Sequence, residues 1–65
     1  MDKALLKYEM SKKGVTVSDI CKKLGISANS FYRKSNGISE FKQSEIQAIV
    51  DLLGLESPMA IFFAK

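Results

Sequence analysis

The sequence predicts an all-α fold with five helical segments. Apolar residues recur every three or four positions in the longer segments, as they do on the buried face of a helix. Glycines close four of the segments, at positions 14, 25, 37 and 54, and Asp, Thr or Ser residues stand at segment starts. The two central segments, 17–24 and 27–35, are joined by a tight turn and predict a helix-turn-helix.

Residues 2–13 predict the first helix. Leu6 and Met10 are four positions apart and belong to a narrow apolar stripe. Asp2 near the start and two lysines near the end suit the helix dipole, and Gly14 closes the helix. We expect core scaffold here, because the apolar face is too short for a membrane-surface helix.

The first helix of the motif covers 17–24. Thr16 and Asp19 have the spacing of a capping box at its start. Gly25 follows, where the chain needs a left-handed residue that glycine adopts without a Cβ clash. The small Cys21 allows a close, steep crossing with the second helix. Large apolar residues surround that crossing: Ile20, Leu24, Ile26 and Phe31.

The second helix, 27–35, carries the candidate reading surface. Ser27 can cap its start, and Phe31 points towards the core. At about 100° per residue, the outward side is shared by Ala28, Asn29, Tyr32 and Arg33. Asn and Arg can pair bidentately with adenine and guanine, and Tyr can contact a thymine methyl or a phosphate. Singly these are ordinary exposed residues; together, after a glycine turn, they predict a helix that enters the DNA major groove.

A connecting loop follows this helix. Asn36-Gly37 ends the helix in a left-handed residue, and the backbone amides exposed there can donate to phosphate. Within the loop 38–43, Phe41 is large enough to plug the core. Lys42 can reach the DNA backbone or be a solvated loop lysine, and the sequence favours neither.

Residues 44–53 predict the clearest helix of the chain. Ser44 and Gln47 have the spacing of a capping box, and Gly54 terminates the helix. Its buried stripe consists of Ile46, Ile49, Val50 and Leu53.

A last short helix is predicted after Ser57, its cap, with Pro58 at the first position. One side of so short a helix cannot bury all its large apolar residues, which are Met59, Ile61, Phe62 and Phe63. Either all of them fold inside, or some form a surface shared with a second copy. We favour a homodimer interface containing Ile61, Phe62 and Phe63.

Composition and charge narrow the possible functions. The 65 residues include no histidine and one cysteine, so we expect no disulfide framework and no metal site. A leader pattern and a membrane-length apolar run are both missing, which predicts a soluble intracellular protein. Without histidine, converging carboxylates or a glycine-rich phosphate loop, we expect no enzyme and no cofactor. Residues 1–37 carry a net charge of +5 and residues 38–65 carry −2, so the positive charge accompanies the motif.

The order of these pieces resembles the lambda repressor and Cro-like (XRE-type) family of helix-turn-helix regulators, most of all the small regulators from phages of Gram-positive bacteria. The resemblance spans nearly the whole chain. The residues that carry it are Lys13-Gly14-Val15-Thr16, Leu24-Gly25-Ile26-Ser27, Phe31-Tyr32-Arg33-Lys34 with Asn36-Gly37, Ser39-Glu40-Phe41, Glu45-Ile46 and Ile61-Phe62-Phe63. It implies a compact five-helix lambda-repressor-like bundle that binds operator DNA as a homodimer.

The resemblance also implies roles for single residues. Base-reading positions fall on Ala28, Asn29, Tyr32 and Arg33, and phosphate-contacting positions fall on Ser27, Ser30, Asn36 and Lys42. Three positions depart from the family pattern. Val17 replaces a frequent phosphate-holding glutamine and is left out of the site, Cys21 replaces a common alanine, and Ser35 stands where an apolar residue is expected.

We therefore expect residues 1–65 to form one domain that acts as a repressor or Cro-like regulator. Its expected partners are double-stranded operator DNA and a second copy in a weak homodimer, in the cytoplasm of a bacterial host, with no membrane and no small-molecule substrate. The alternative is a protein-interaction module, such as an antirepressor or an antitoxin-like partner, that uses the C-terminal apolar cluster.

Overall fold

A computed structural model describes residues 1–63 of the chain and contains five α-helices in that range. They are α1 (Lys3–Lys13), α2 (Val17–Leu24), α3 (Ala28–Ser35), α4 (Gln43–Leu53) and α5 (Met59–Phe62). The all-α prediction is confirmed. α2 and α3 meet at Gly25, whose φ of +70° lets its N–H donate to the Cys21 carbonyl at 2.8 Å.

The core is formed where α2 packs against α3 and α4, and where α1 packs against α4 and α5. Phe41 lies between two other aromatic rings, with its centroid 6.0 Å from that of Phe31 and 5.5 Å from that of Phe62. These edge-to-face contacts join the loop after α3 to α5, as the size of Phe41 predicted. The central buried side chains are Leu6, Met10, Ile20, Cys21, Phe31, Ile49, Leu53 and Ile61.

Side-chain caps begin both helices of the motif, as predicted. The Thr16 N–H donates to Asp19 Oδ2 at 2.9 Å, and the Asp19 N–H donates to Thr16 Oγ1 at 3.1 Å, which completes the capping box. The hydrogen bond from the Thr16 backbone lowers the pKa of the Asp19 carboxyl. At the start of α3, Ser27 Oγ accepts from the Ser30 N–H at 3.2 Å.

The predicted cap of α4 was wrong in detail, whereas at the start of the last helix Ser57 Oγ accepts from the Met59 N–H at 3.2 Å, as a cap does. α4 begins one residue earlier than expected, and its cap is not the pair Ser44 and Gln47. Instead the backbone N–H of Lys42 donates to Glu45 Oε1 at 2.8 Å, because Lys42 itself is the last extended residue before the helix. α5 begins after Pro58 rather than at it.

The prediction that Ile61 contributes to a dimer interface does not fit its position. Ile61 is 2% exposed and packs inside this chain, because four-residue α5 turns it towards α1. The Asp2 N–H also donates to the Ile61 carbonyl at 2.6 Å, which holds α5 against the start of α1. Phe62 is half-buried and Phe63 is 48% exposed, so of the three predicted residues Phe63 has the most free surface.

None of the five helices among residues 1–63 is long and apolar enough to cross a membrane. No group of three or more His, Cys, Asp or Glu side chains in this range is placed to hold a metal ion.

Candidate nucleic-acid interface

The outward side of α3 presents the residues that were predicted to read bases. Ala28, Asn29, Tyr32 and Arg33 are all exposed, and Tyr32 keeps 51% of its surface. Phe31, on the opposite side, is 4% exposed and anchors the helix in the core. Among residues 1–63, no hydrogen bond or ion pair engages the side chain of Asn29 or Arg33. Their donors and acceptors are therefore available to a ligand that approaches this face.

The residues predicted to contact phosphate lie at the two ends of α3 and beyond it. Ser27 is exposed, and because its Oγ accepts from a backbone N–H, its hydroxyl hydrogen is still free to donate. Ser30 is half-buried one turn further on. Asn36 is exposed at the other end of the helix, and Lys42 is exposed at the start of α4. A polar side chain therefore lies near each end of the outward side of α3.

An ion pair that the sequence did not reveal attaches α3 to α4. Lys34 Nζ lies 2.6 Å from Glu45 Oε1 and 2.8 Å from Oε2, and both side chains are largely buried. Burial raises the pKa of Glu45, but the hydrogen bonds from Lys34 and from the Lys42 N–H, together with the two lysine charges, lower it further than burial raises it. The net effect is a pKa below the ordinary value of 4.5. Lys34 therefore links α3 to α4 and is not part of the outward face of α3.

Acidification is expected to weaken the fold through this carboxylate. Because the pKa of Glu45 is lower in the folded chain than in the unfolded one, the folded state binds fewer protons. The stabilisation is fully present above the unfolded pKa and is lost as pH falls through the folded pKa. Glu45→Gln should therefore show a smaller fall in free energy of unfolding than the parent between about pH 5 and pH 3, measured by urea denaturation.

The matched control for this prediction is Glu40→Gln, which removes an exposed carboxylate from the preceding loop. That variant should keep the parent's dependence on pH. If the free energy of unfolding of the Glu45→Gln variant falls with pH as much as that of the parent, the ion pair does not stabilise the fold in the way described.

Ser35 occupies a buried position near the end of α3. It is 6% exposed, and its Oγ donates to the Tyr32 carbonyl at 3.2 Å. A buried hydroxyl needs such a partner, and the preceding turn of the same helix supplies it. The polar residue at this position is therefore accommodated within the last turn of the helix.

A hydrogen bond between distant segments also reaches the interface. Lys3 Nζ, in the first turn of α1, donates to Asn36 Oδ1 at 2.6 Å. The two residues are 33 positions apart, so no periodicity or spacing in the sequence could have paired them.

Two short helices that cross at a glycine turn, the second with a buried anchor and a free polar face, define a helix-turn-helix domain. The family model of the Cro/C1-type HTH DNA-binding domain matches residues 6–58, and the chain belongs to that family. No curated protein and no solved structure gives a significant match to the chain. DNA binding is therefore the activity of the family to which the chain belongs.

Proposed function

We propose that this protein is a sequence-specific transcriptional regulator of the repressor or Cro type, which binds operator DNA as a homodimer. The observation that supports the proposal is that α3 is anchored on its inner side and exposed on its outer side. Its inner side is held by Phe31 and by the Lys34–Glu45 ion pair, while Asn29 and Arg33 are exposed and unengaged among residues 1–63. A rigid helix with free bidentate side chains is what major-groove readout requires.

In this proposal the residues of α3 and of the segments that flank it divide into two groups. Asn29 pairs with adenine and Arg33 with guanine, while Ala28 and Tyr32 contact the neighbouring base edges, Tyr32 through its ring or its hydroxyl. The groups that bind phosphate fix the register of the helix, and they are Ser27, Ser30, Asn36 and Lys42. The positive charge of the first half of the chain adds attraction that does not depend on base sequence.

The homodimer would use the apolar surface next to α5. Phe63 is 48% exposed and Met1 is 37% exposed. Together with Phe41 and Phe62 they line a concave part of the surface that encloses a volume of about 390 Å³. A two-fold axis through this surface would bring the same patch of each copy together, and operator binding then requires both α3 helices to lie on one side of the dimer. Two half-sites about one helical turn apart are then expected in the operator.

The remaining parts of the proposal follow from this role. Residues 1–65 act as one DNA-binding domain in the cytoplasm of a bacterial host, as a small phage-encoded regulator would. No cofactor, no catalysis and no small-molecule substrate is involved.

Selection of random duplexes by the purified protein tests the proposal. We expect enrichment of a palindromic consensus whose half-sites are separated by about 10 base pairs. The matched control is Asn29→Ala/Arg33→Ala, which removes two exposed side chains of α3 and should enrich a consensus relaxed at two positions of each half-site while remaining folded. If the parent protein enriches no sequence, it is not a sequence-specific regulator.

A protein-interaction module is the second candidate, because Phe63 and Met59 expose large apolar side chains, Met59 at 62%. Charge reversal in α3, with Arg33→Glu, distinguishes the two functions. Loss of DNA binding in this variant supports the regulator. Retained binding to a protein partner, with no footprint of the parent on DNA at low salt, supports the interaction module.

A further inference from the structure

Besides Lys3, which donates to Asn36, three lysines in the basic half of the chain contact other groups of the protein. Lys12 Nζ lies 4.0 Å from the carboxylate of Glu9, and Lys13 Nζ donates to the Leu53 carbonyl at 2.6 Å, where it covers the end of α4. Lys34 is the third, through its ion pair with α4. The positive charge that remains for a ligand is therefore not spread evenly over the seven lysines of this half.

Two other lysines of α1 lie beside the reading helix. Lys3 and Lys7 are one turn apart and line a groove of about 360 Å³ whose opposite wall includes Tyr32 of α3. Both lysines are exposed, and so is Tyr32, which belongs to the outward side of α3. Most of the remaining lining is apolar, and the two ammonium groups are the cationic part of this groove between α1 and α3.

The contact between Lys3 and Asn36 also prepares the end of α3 for an anion. An ammonium group can only donate, so the amide of Asn36 must turn its oxygen towards Lys3. The amide nitrogen of Asn36 is then directed away from Lys3 and can donate to a further acceptor. A phosphate group could accept from the amide hydrogens of Asn36 through one oxygen and from the remaining ammonium hydrogens of Lys3 through another.

We propose that Lys3 and Lys7 bind backbone phosphates of the DNA strand that borders the major groove occupied by α3. This inference rests on the proposed function and deepens it, because it makes α1 a second DNA-contacting element and Lys3 a positioning residue for Asn36. The ligand is the phosphodiester backbone, which these lysines contact without regard to base sequence.

The salt dependence of DNA binding tests the inference. The full-length variant Lys3→Gln/Lys7→Gln is compared with the parent on the selected operator and on an unrelated duplex of equal length. Loss of two phosphate contacts in each copy should reduce the slope of log affinity against log salt by about 1.8 per bound copy, or by about 3.6 for the homodimer. Between about 50 and 200 mM salt, the parent homodimer should consequently lose about 150-fold more affinity than the variant. The change in slope should be the same on both duplexes.

Two control variants separate position from charge. Lys22→Gln/Lys23→Gln removes the same charge from the last turn of α2. The groove is lined by Val17, at the opposite end of that helix, and not by these two lysines. This variant should keep the parent's slope. Lys3→Arg/Lys7→Arg keeps the charge in the groove and should also keep the slope. Thermal unfolding of each variant shows whether it is folded, and we expect midpoints close to that of the parent because all four lysines are exposed.

The outcomes distinguish this inference from the proposed function. If the parent binds DNA and Lys3→Gln/Lys7→Gln keeps its slope, the phosphate contacts of α1 are refuted and the regulator stands. An equal fall in slope for Lys22→Gln/Lys23→Gln would also refute them, since general charge would then explain the effect. If the parent itself binds no duplex in a salt-dependent way, the proposed function and this inference fail together.

Discussion

Ile61→Ala is expected to lower the free energy of unfolding by about 2–5 kcal/mol, the usual result of truncating a buried Ile or Leu. Ile61 is 2% exposed and belongs to the central cluster, so its removal leaves a cavity between α5 and α1. A chain of 65 residues has a total stability of roughly 3–10 kcal/mol, and this single change removes a large share of it. Urea denaturation at low protein concentration measures the effect without a contribution from dimerisation.

Phe63→Ala is the matched control for this prediction. The side chain is 48% exposed, so its loss should cost less than about 1 kcal/mol in the monomer. In the proposed homodimer the same variant should weaken self-association, which sedimentation at increasing concentration would detect. A large loss of monomer stability for Phe63→Ala, with little loss for Ile61→Ala, would contradict the described packing of α5.

Arg33→Ala is expected to weaken binding by about 1–3 kcal/mol per half-site, or roughly 5- to 150-fold for each bound copy, and to relax base preference at one position of each half-site. Arg33 is exposed on α3, and no group among residues 1–63 engages its guanidinium. The variant should therefore fold as the parent does and lose only what the guanidinium contributes to the complex. Repeating the duplex selection with the variant measures both effects.

Lys42→Ala is the matched control, because it removes a proposed phosphate contact and not a base contact. A phosphate contact carries no base information, so this variant should weaken binding by a similar factor on all sequences and leave the consensus unchanged. If Arg33→Ala also leaves the consensus unchanged and binds as tightly as the parent, Arg33 does not read a base.

The helix-turn-helix could be predicted from the sequence because its determinants are local. Thr16 and Asp19 are three residues apart, and the turn at Gly25 needs a backbone conformation that glycine adopts readily. The exposure of Asn29 and Arg33 followed in the same way, because helical periodicity places them opposite Phe31.

The contacts that join the helices could not be predicted in this way. The Lys34–Glu45 pair spans a loop, and the Lys13–Leu53 hydrogen bond links residues 40 positions apart. Such pairings depend on how whole helices are oriented, which no spacing rule specifies. The prediction that placed Ile61 in a dimer interface has a related weakness. The number of apolar residues in a short helix does not show that one of them, Ile61, packs against α1 of the same chain.

The hydrogen bond between the Asp2 N–H and the Ile61 carbonyl brings the first residues of the chain next to α5. Met1 lies there beside Gly37, at the end of α3 where Lys3 meets Asn36. A peptide fused ahead of Met1 would consequently emerge at the surface proposed for the homodimer, close to the end of α3. An affinity tag at that end could compete with the duplex for Lys3, so tag-free protein is the appropriate material for comparing the variants.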